Sequence, residues 1–169
     1  MRYVLGQEPL EVHCRAWNPV WSKFTDPAAA IATVVFDGGA VVNYQGSWVS
    51  TQEETLWAGE WLIECSRGSI EWTGRADQHT AADSVVIRPL NGVAEIISLP
   101  RDAIYDRVGS LAEFCSAIHE GRPPLTSGRA NLATLALTLG AIESSKTNTA
   151  QNIPAFLGTT GSLAMKGGN

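Results

Sequence analysis

Three histidines and three cysteines are the residues of this sequence best suited to binding a metal or acting as nucleophiles. Cys14, Cys65 and Cys115 are far apart and odd in number, unlike the paired cysteines of a secreted disulfide scaffold. His13 and Cys14 are adjacent, so on a strand their side chains point to opposite faces and cannot share a metal ion. We therefore predict no metal site, and we expect the cysteines to be buried free thiols.

Acidic residues are the next candidates, for proton transfer. Glu53, Glu54 and Glu60 could supply paired carboxylates, but adjacent residues point apart on a strand and a solvated loop is the favoured interpretation. The Asp77–His79 segment resembles part of a triad but lies in a polar stretch without a nucleophile motif. The phosphate-binding patterns GxGxxG and GxxxxGK[ST] do not occur. The sequence predicts neither catalytic nor cofactor-binding residues in this chain.

Aromatic residues are the remaining candidates, because six tryptophans are many for a chain of 169 residues. All six lie in the first half of the chain, which favours either an ordinary sheet core or an aromatic surface for a sugar ring or a second subunit. For a single tryptophan the core interpretation is favoured, and for the set as a whole some interface role is favoured. The candidates for an interface or a substrate wall are Trp17, Tyr44, Trp48 and Trp57.

Composition bounds the class of protein. Hydrophobic residues make up 44% of the chain and charged residues 17%, so one compact domain with a sizeable core is expected. The net charge of −5 and the pI near 5.1 argue against nucleic acid or an anionic membrane as a partner. No apolar stretch has transmembrane length. We expect a soluble cytoplasmic protein.

A β-hairpin is the clearest local pattern. Residues 29–37 and 40–50 are rich in β-branched and aromatic side chains, with Gly38-Gly39 between them. Both glycines tolerate the positive φ of a type I′ turn, which predicts a two-residue loop. Pairing outward from that loop sets Val34 opposite Asn43 and places Tyr44 and Trp48 on one face. Both faces are substantially apolar near the turn, so we expect the second face to be covered.

Further strands precede the long helices. Residues 1–6 indicate the last turn of a helix that stops at Gly6. Strands are predicted over residues 10–17, 61–65 with 69–73, and 85–88 with 94–99. Helical spacing then runs from Ile104 to Ile118, and a second helix follows Ser127-Gly128, with Thr126 or Ser127 as its cap.

This order predicts an α+β fold, a mostly antiparallel open-faced sheet with two main helices packed on one face. The domain is expected to span residues 1–154, followed by a flexible tail over 155–169. A substitution Leu135→Ala is then expected to cost about 2–5 kcal/mol, as a buried cavity mutation does. The side chains assigned to the packing are Val108, Leu111, Phe114, Ile118, Leu132, Leu135 and Leu139.

Taken together, these stretches resemble the C-terminal domain of the glucose–fructose oxidoreductase, inositol dehydrogenase and rhizopine-catabolism family (Gfo/Idh/MocA). The resemblance covers residues 1 to about 154, and the order and spacing of its pieces are more specific than any one piece. The pieces are Arg2-Tyr-Val-Leu-Gly6 with Glu8-Pro9 and Val12, Phe36-Asp-Gly-Gly-Ala40, Gly46-Ser-Trp48, Tyr105 with Leu111 and Phe114, Ala117-Ile-His-Glu-Gly-Arg-Pro123, Thr126-Ser-Gly128 and Ala141-Ile-Glu-Ser-Ser145.

The resemblance implies an N-terminal Rossmann domain that binds NAD or NADP, with a Glu-Lys-Pro lysine and an Asp-x-x-x-His pair near the substrate. This sequence has neither motif, and Lys23, Lys146 and Lys166 all lie in other contexts. The resemblance therefore implies the substrate-side and oligomerisation domain of an enzyme that oxidises a sugar, inositol or related polyol. NAD or NADP is expected in the full-length parent and no cofactor in this chain.

Two kinds of protein remain open. The chain is either this half of an oxidoreductase, inactive alone, or a stand-alone non-catalytic module for dimerisation or small-molecule binding. Both alternatives predict self-association through the sheet face that the helices leave open, because an exposed apolar patch is uncommon on a soluble monomer. The face with Tyr44 and Trp48 is the favoured interface.

Overall fold

Strands occupy the first two thirds of the chain and long helices the last third, as the change in periodicity predicts. The computed structural model describes residues 1–74, 83–99, 104 and 106–164. In chain order the described elements are α1 (Arg2–Leu5), β1 (Pro9–Trp17), β2 (Ala29–Phe36), β3 (Val41–Ser47), β4 (Glu60–Cys65), β5 (Gly68–Thr73), β6 (Ser84–Pro89), β7 (Glu95–Ile96), α2 (Asp106–Glu120), α3 (Gly128–Thr147), β8 (Gln151–Asn152) and α4 (Ile153–Ala164). The predicted α+β class is confirmed.

Two four-stranded sheets replace the single sheet that the sequence predicted. The first has the order β3-β2-β1-β8 and the second the order β4-β5-β6-β7, and every pairing in them is antiparallel. The chain accordingly divides into two compact units, residues 1–49 with the described part of 110–169, and residues 50–109. Strands that follow one another along the chain pair with one another, so each sheet is formed largely from its own stretch of sequence. Among the described strands, β8 is the one that joins its sheet from a distant part of the chain.

The first sheet buries one face. Along β1, Val12 and Cys14 are buried, whereas the residues between and beside them are exposed. This alternation is that of a strand covered on one side. The buried face continues onto β2, where Ala32 lies opposite Cys14 and Val34 opposite Val12.

The hairpin between β2 and β3 has a three-residue loop, so the predicted two-residue turn is wrong by one position. The amide of Phe36 donates to the Ala40 carbonyl at 2.9 Å, and Gly39 has φ 86° while Gly38 is not in the left-handed region. A type I turn followed by one left-handed residue is the usual three-residue hairpin. Because side chains alternate along a strand, this shift moves all of β3 to the opposite face. Val34 therefore pairs with Val42, and Tyr44, opposite Ala32, belongs to the helix-covered side.

Helix α3 lies close against β1 through its smallest side chains. Ala136, Gly140 and Ser144 recur every four residues on one face and are the buried residues of this helix. A Cβ on Gly140 would come within 2.7 Å of the Ile153 Cδ1 atom and 3.4 Å of the Val12 Cγ1 atom. The core of this unit therefore forms where the small face of α3 meets the sheet. Its fully buried members are Val12, Val34, Phe36, Ala136 and Ile153.

The leucine stripe assigned to helix packing is exposed instead. Leu135 is 52% exposed, which refutes the expected cavity cost of Leu135→Ala. The sequence pattern predicts packing through the large apolar side chains of the helices. A helix that lies close to a sheet instead packs through its small side chains. The exposed members of the predicted packing set are Val108, Leu111, Phe114 and Ile118 on α2 and Leu132, Leu135 and Leu139 on α3.

The second sheet has one largely apolar face. Trp61 and Trp72 lie opposite each other on β4 and β5, with ring centroids 5.3 Å apart in a stacked arrangement. On the other face the Arg88 guanidinium donates to both carboxylate oxygens of Glu71 at 2.7 and 2.9 Å and holds the pKa of Glu71 below its usual range. The core interpretation of the tryptophans thus fits Trp61 and Trp72, which are half-buried.

The ends of the helices follow the predicted signals, except at the end of the chain. Gly6 ends α1 in the left-handed conformation, and the Ser127 hydroxyl caps α3 by accepting from the Ala130 amide at 3.2 Å. The predicted tail over 155–169 is helical as far as Ala164, while residues 165–169 lie outside the described part. The glycine, threonine, serine and asparagine content of this segment predicts a loose tail, whereas Phe156 and Leu157 pack against the core of the first unit.

Gly39→Ala should destabilise the protein by roughly 1–2 kcal/mol, because a Cβ disfavours the left-handed conformation. Gly38→Ala is the matched control, since Gly38 is not in the left-handed region and the atoms nearest to its Cβ belong to the flexible side chain of Gln7, which has to move aside. Thermal unfolding of both variants checks this. Equal melting temperatures would contradict the three-residue loop.

Ser144→Ala should cost about 1–3 kcal/mol of unfolding free energy, because it leaves a buried amide without an acceptor. The Ser144 Oγ atom accepts from the buried Cys14 amide at 2.8 Å. The neighbouring Ser145 Oγ atom accepts from the half-buried Ala16 amide at 2.9 Å, so Ser145→Ala should cost less. Urea unfolding of the two variants gives the comparison, and the reverse order would refute the assignment.

Candidate functional site

The first sheet has one face that helices do not cover, here called the open face. Its side chains alternate away from α3 along three strands, and nearly all of them are exposed. Ala29, which is buried, and Val35, which is half-buried, are the exceptions. The open face consists of Glu11, His13, Arg15 and Trp17 on β1, Ala29, Ile31, Thr33 and Val35 on β2, and Val41, Asn43, Gln45 and Ser47 on β3.

A polar row crosses the middle of the open face. His13, Thr33 and Asn43 are neighbours across the three strands, and the Thr33 hydroxyl donates to the Asn43 Oδ1 atom at 3.1 Å. These residues, together with Ile31, Gln45 and the neighbouring Ala32 and Tyr44, line an open depression of about 380 Å³. Imidazole, hydroxyl and amide groups both donate and accept hydrogen bonds. The row is therefore suited to binding polar groups of a ligand or of another protein surface.

The four aromatic candidates do not form one cluster in the structure. Trp17 ends β1 on the open face and is 40% exposed, while Tyr44 lies on the other side of the sheet for the reason given above. Trp48 directly follows β3 and is exposed. Trp57 is exposed as well, but it belongs to the second unit. The structure thus brings Trp17 and Trp48 to one end of the first sheet.

Trp21 was missed by the sequence analysis and belongs to this same end. It lies in the connection between β1 and β2, and its indole nitrogen donates to the Val49 carbonyl at 2.9 Å. The Trp48 amide donates to the Ala28 carbonyl at 2.8 Å, just before β2 begins. The ring of Trp21 is 63% exposed. Two features of the sequence could have indicated Trp21, namely the length of the connection between β1 and β2 and the single tryptophan within it.

A charged network ties α1 to the rest of the first unit. The Arg2 guanidinium donates to both carboxylate oxygens of Glu8 at 2.6 Å and to the Ala130 carbonyl and the Thr134 hydroxyl at 2.9 Å. The amide of Glu8 in turn donates to the Asp37 carboxylate at 3.0 Å. These contacts line an open groove of about 520 Å³ beside the start of α3. Arg2 thus links α1 to the residue that precedes β1 and to the first two turns of α3.

The cysteines differ from one another. Cys14 is buried, and burial raises the pKa of its thiol, which lowers its reactivity. Cys65 and Cys115 are exposed, so the expectation of three buried thiols is wrong for these two. Cys115 lies on α2, and Cys65 at the end of the edge strand β4.

The other candidate metal-binding and acid–base residues do not form a cluster among the described residues. Within the described residues, no three histidine, cysteine or carboxylate side chains come together as a metal site would require. Glu53, Glu54 and Glu60 are exposed. The Asp77–His79 segment lies outside the described residues. Nor is any described helix long and apolar enough to cross a bilayer.

This arrangement of strands and helices is similar to that of known proteins. No family model matches the chain. One curated relative, the uncharacterized protein y4oX of Sinorhizobium fredii (strain NBRC 101917 / NGR234), is 24% identical over 160 residues, which are 93% of this chain and 44% of the relative.

Several solved oxidoreductases have the same fold. An Agrobacterium radiobacter oxidoreductase in complex with NAD+, L-tartaric acid and magnesium matches with a TM-score of 0.73 at 19% identity, over 91% of this chain and 46% of that one. Aldose-aldose oxidoreductase from Caulobacter crescentus, complexed with glycerol, gives 0.71 at 16%, over 89% and 43%. UDP-N-acetylglucosamine 3-dehydrogenase from Acidithiobacillus ferrooxidans gives 0.64 at 21%, over 90% and 42%.

These neighbours are oxidoreductases of the Gfo/Idh/MocA type, so the resemblance read from the sequence is confirmed as a likeness of fold. The chain spans slightly less than half the length of each protein that it matches.

Proposed function

We propose that this chain is the substrate-side and subunit-interface half of an NAD(P)-dependent oxidoreductase that acts on a sugar or a related polyol. The likeness to oxidoreductases carries the proposal: about nine tenths of this chain corresponds to 42–46% of each of the three. A domain that fits half of a two-part enzyme has the size and architecture for one wall of its cleft. A cytoplasmic location is part of the same proposal.

The proposed substrate class follows the relatives whose names describe one. An aldose-aldose oxidoreductase and a UDP-N-acetylglucosamine dehydrogenase both act on carbohydrate. Exposed aromatic rings suit the apolar face of a sugar. We therefore keep Trp17 and Trp48, at one end of the first sheet, as candidates for a substrate wall or a subunit interface, and Trp57 as a separate candidate on the second unit. Tyr44, on the helix-covered side, is not assigned to that interface.

The residues of this chain do not fit NAD(P). Dinucleotides bind where a parallel βαβ unit presents a glycine-rich turn and a helix N-terminus to the pyrophosphate. All six pairings of the described strands are antiparallel, and the sequence has no GxGxxG. In this proposal the cofactor and the proton-transfer groups come from another part of the enzyme.

The chain expressed alone should bind neither NADH nor NADPH and should turn over no polyol. Calorimetric titration measures this, and a dissociation constant tighter than roughly 100 μM, about −5.5 kcal/mol, would contradict it. The coding region upstream of residue 1 decides between the two kinds of protein. An in-frame nucleotide-binding domain supports the oxidoreductase half, and a promoter and ribosome site directly upstream support the stand-alone module.

The proposal also includes self-association through the open face. Ile31 and Val41 are 47% and 61% exposed there, beside Trp17. A sheet face with such side chains favours contact with a second, similar face. A two-fold dimer is the commonest closed assembly and sets one patch against its own copy.

Ile31→Glu should convert a dimer into a monomer, because it places two carboxylates in the contact. Leu135→Glu is the matched control, an apolar residue of similar exposure on α3 in the same unit. Light scattering over a dilution series measures the mass, and circular dichroism confirms folding. A monomeric parent at tens of micromolar refutes self-association, and dissociation by Leu135→Glu alone would place the interface on the helices.

A further inference from the structure

The connection between β6 and β7 contains an asparagine followed by a glycine. Asn91 and Gly92 lie between Pro89, the last residue of β6, and Glu95, the first of β7, and both are exposed. This is ordinary composition for a connection between antiparallel strands. It is also the one Asn-Gly pair of the sequence, because the other asparagines with a successor precede Pro19, Tyr44, Leu132, Thr149 and Ile153.

The backbone of the connection requires glycine directly after Asn91. Gly92 has φ 152°, a conformation that residues with a Cβ rarely adopt. A Cβ at this position would also come within 3.3 Å of the Pro89 Cγ atom. The fold of the second unit therefore selects a residue without a side chain next to the Asn91 amide.

Neither member of the pair is held by a hydrogen bond. The preceding amide, that of Leu90, donates to the Arg67 carbonyl at 3.0 Å. By contrast, the Asn91 side chain and the Gly92 amide have no hydrogen-bond partner among the residues that the structure describes. The backbone nitrogen of Gly92 and the side-chain amide of Asn91 are thus both open to solvent and to each other.

We propose that Asn91 is a site of spontaneous deamidation and isomerisation. The backbone nitrogen of Gly92 gives its proton to hydroxide and attacks the Asn91 Cγ atom. The bond between Cγ and the side-chain nitrogen breaks, and that nitrogen takes up a proton from water and leaves as ammonia. The product is a five-membered cyclic imide, and no oxidant or reductant takes part. This chemistry does not depend on the proposed function.

Water then opens the imide in one of two ways. Cleavage between the Gly92 nitrogen and Cγ gives aspartate, whereas cleavage between that nitrogen and the backbone carbonyl carbon of residue 91 gives isoaspartate. In isoaspartate the main chain continues through the former side chain, so the connection between β6 and β7 becomes one atom longer. Both products place a new carboxylate on this connection, which makes the net charge of the chain more negative by one.

The pair Asp37-Gly38 is an internal comparison, because aspartate can form the same imide. A carboxylate is a poorer electrophile than an amide, and here it is also held in place. The Asp37 carboxylate accepts from the Glu8 amide at 3.0 Å, and the Asp37 amide donates to the Glu8 carbonyl at 3.0 Å. Asp37 should therefore remain unchanged under conditions that convert Asn91.

Incubation of the folded chain in water enriched in heavy oxygen tests the proposal. Peptide mass spectrometry should show one heavy oxygen atom in place of the amide nitrogen at Asn91, with isoaspartate among the products. The rate should rise with pH, because the attacking nitrogen has to lose its proton. Asn43 and Asn148, each followed by a residue with a side chain, are the internal controls and should keep their amides.

Two variants assign the signal to this pair. Gly92→Ala should lose most of the product, because its methyl group hinders the attack, and circular dichroism checks that it folds. Asn91→Gln changes an exposed side chain without hydrogen bonds, and it should lose the isoaspartate that a methyltransferase specific for this residue detects in the intact chain. An amide at Asn91 that survives in the folded chain overturns the proposal. Conversion to aspartate without isoaspartate, or equal conversion at Asn43, Asn148 or Asp37, overturns it as well.

Discussion

The close contact between α3 and β1 is the constraint on which the first unit depends. Gly140 leaves room for Val12 and Ile153, and four residues later the Ser144 hydroxyl accepts from the Cys14 amide. A larger residue at Gly140 would separate the helix from the strand and remove the acceptor from a buried amide, which costs more than the bond itself. Packing and hydrogen bonding therefore require the same helix position, and both require small side chains.

That contact also determines which surfaces remain available. Because α3 approaches through its small residues, Leu132, Leu135 and Leu139 lie on other sides of the helix and stay exposed, whereas Leu137 packs against the core. Because the serines of α3 accept from the amides of Cys14 and Ala16, part of the β1 edge is already satisfied and unsuited to adding a strand. Contact through the sheet then has to use its open face, where the side chains rather than the backbone determine specificity.

Local signals in the sequence predicted most of the elements and fewer of their relations. The left-handed Gly6, the Ser127 cap and the strand pair around Gly68 depend on neighbouring residues and were predicted correctly. The register of β3 depends on loop length, and two adjacent glycines fit a loop of two residues or of three. One position of error then moved Tyr44 to the wrong face. The burial of α3 depends on residues more than a hundred positions away, which no local pattern contains.

The residues that carry the family resemblance explain why the fold is shared at identities near 20%. Gly6 ends a helix, Gly39 completes a turn, Ser127 caps α3, and Ser144 holds β1. Each of these residues constrains the backbone. The resemblance is therefore a statement about architecture. Side chains on the open face, such as Glu11 and Arg15, lie outside those motifs, so the resemblance assigns them no part in the architecture.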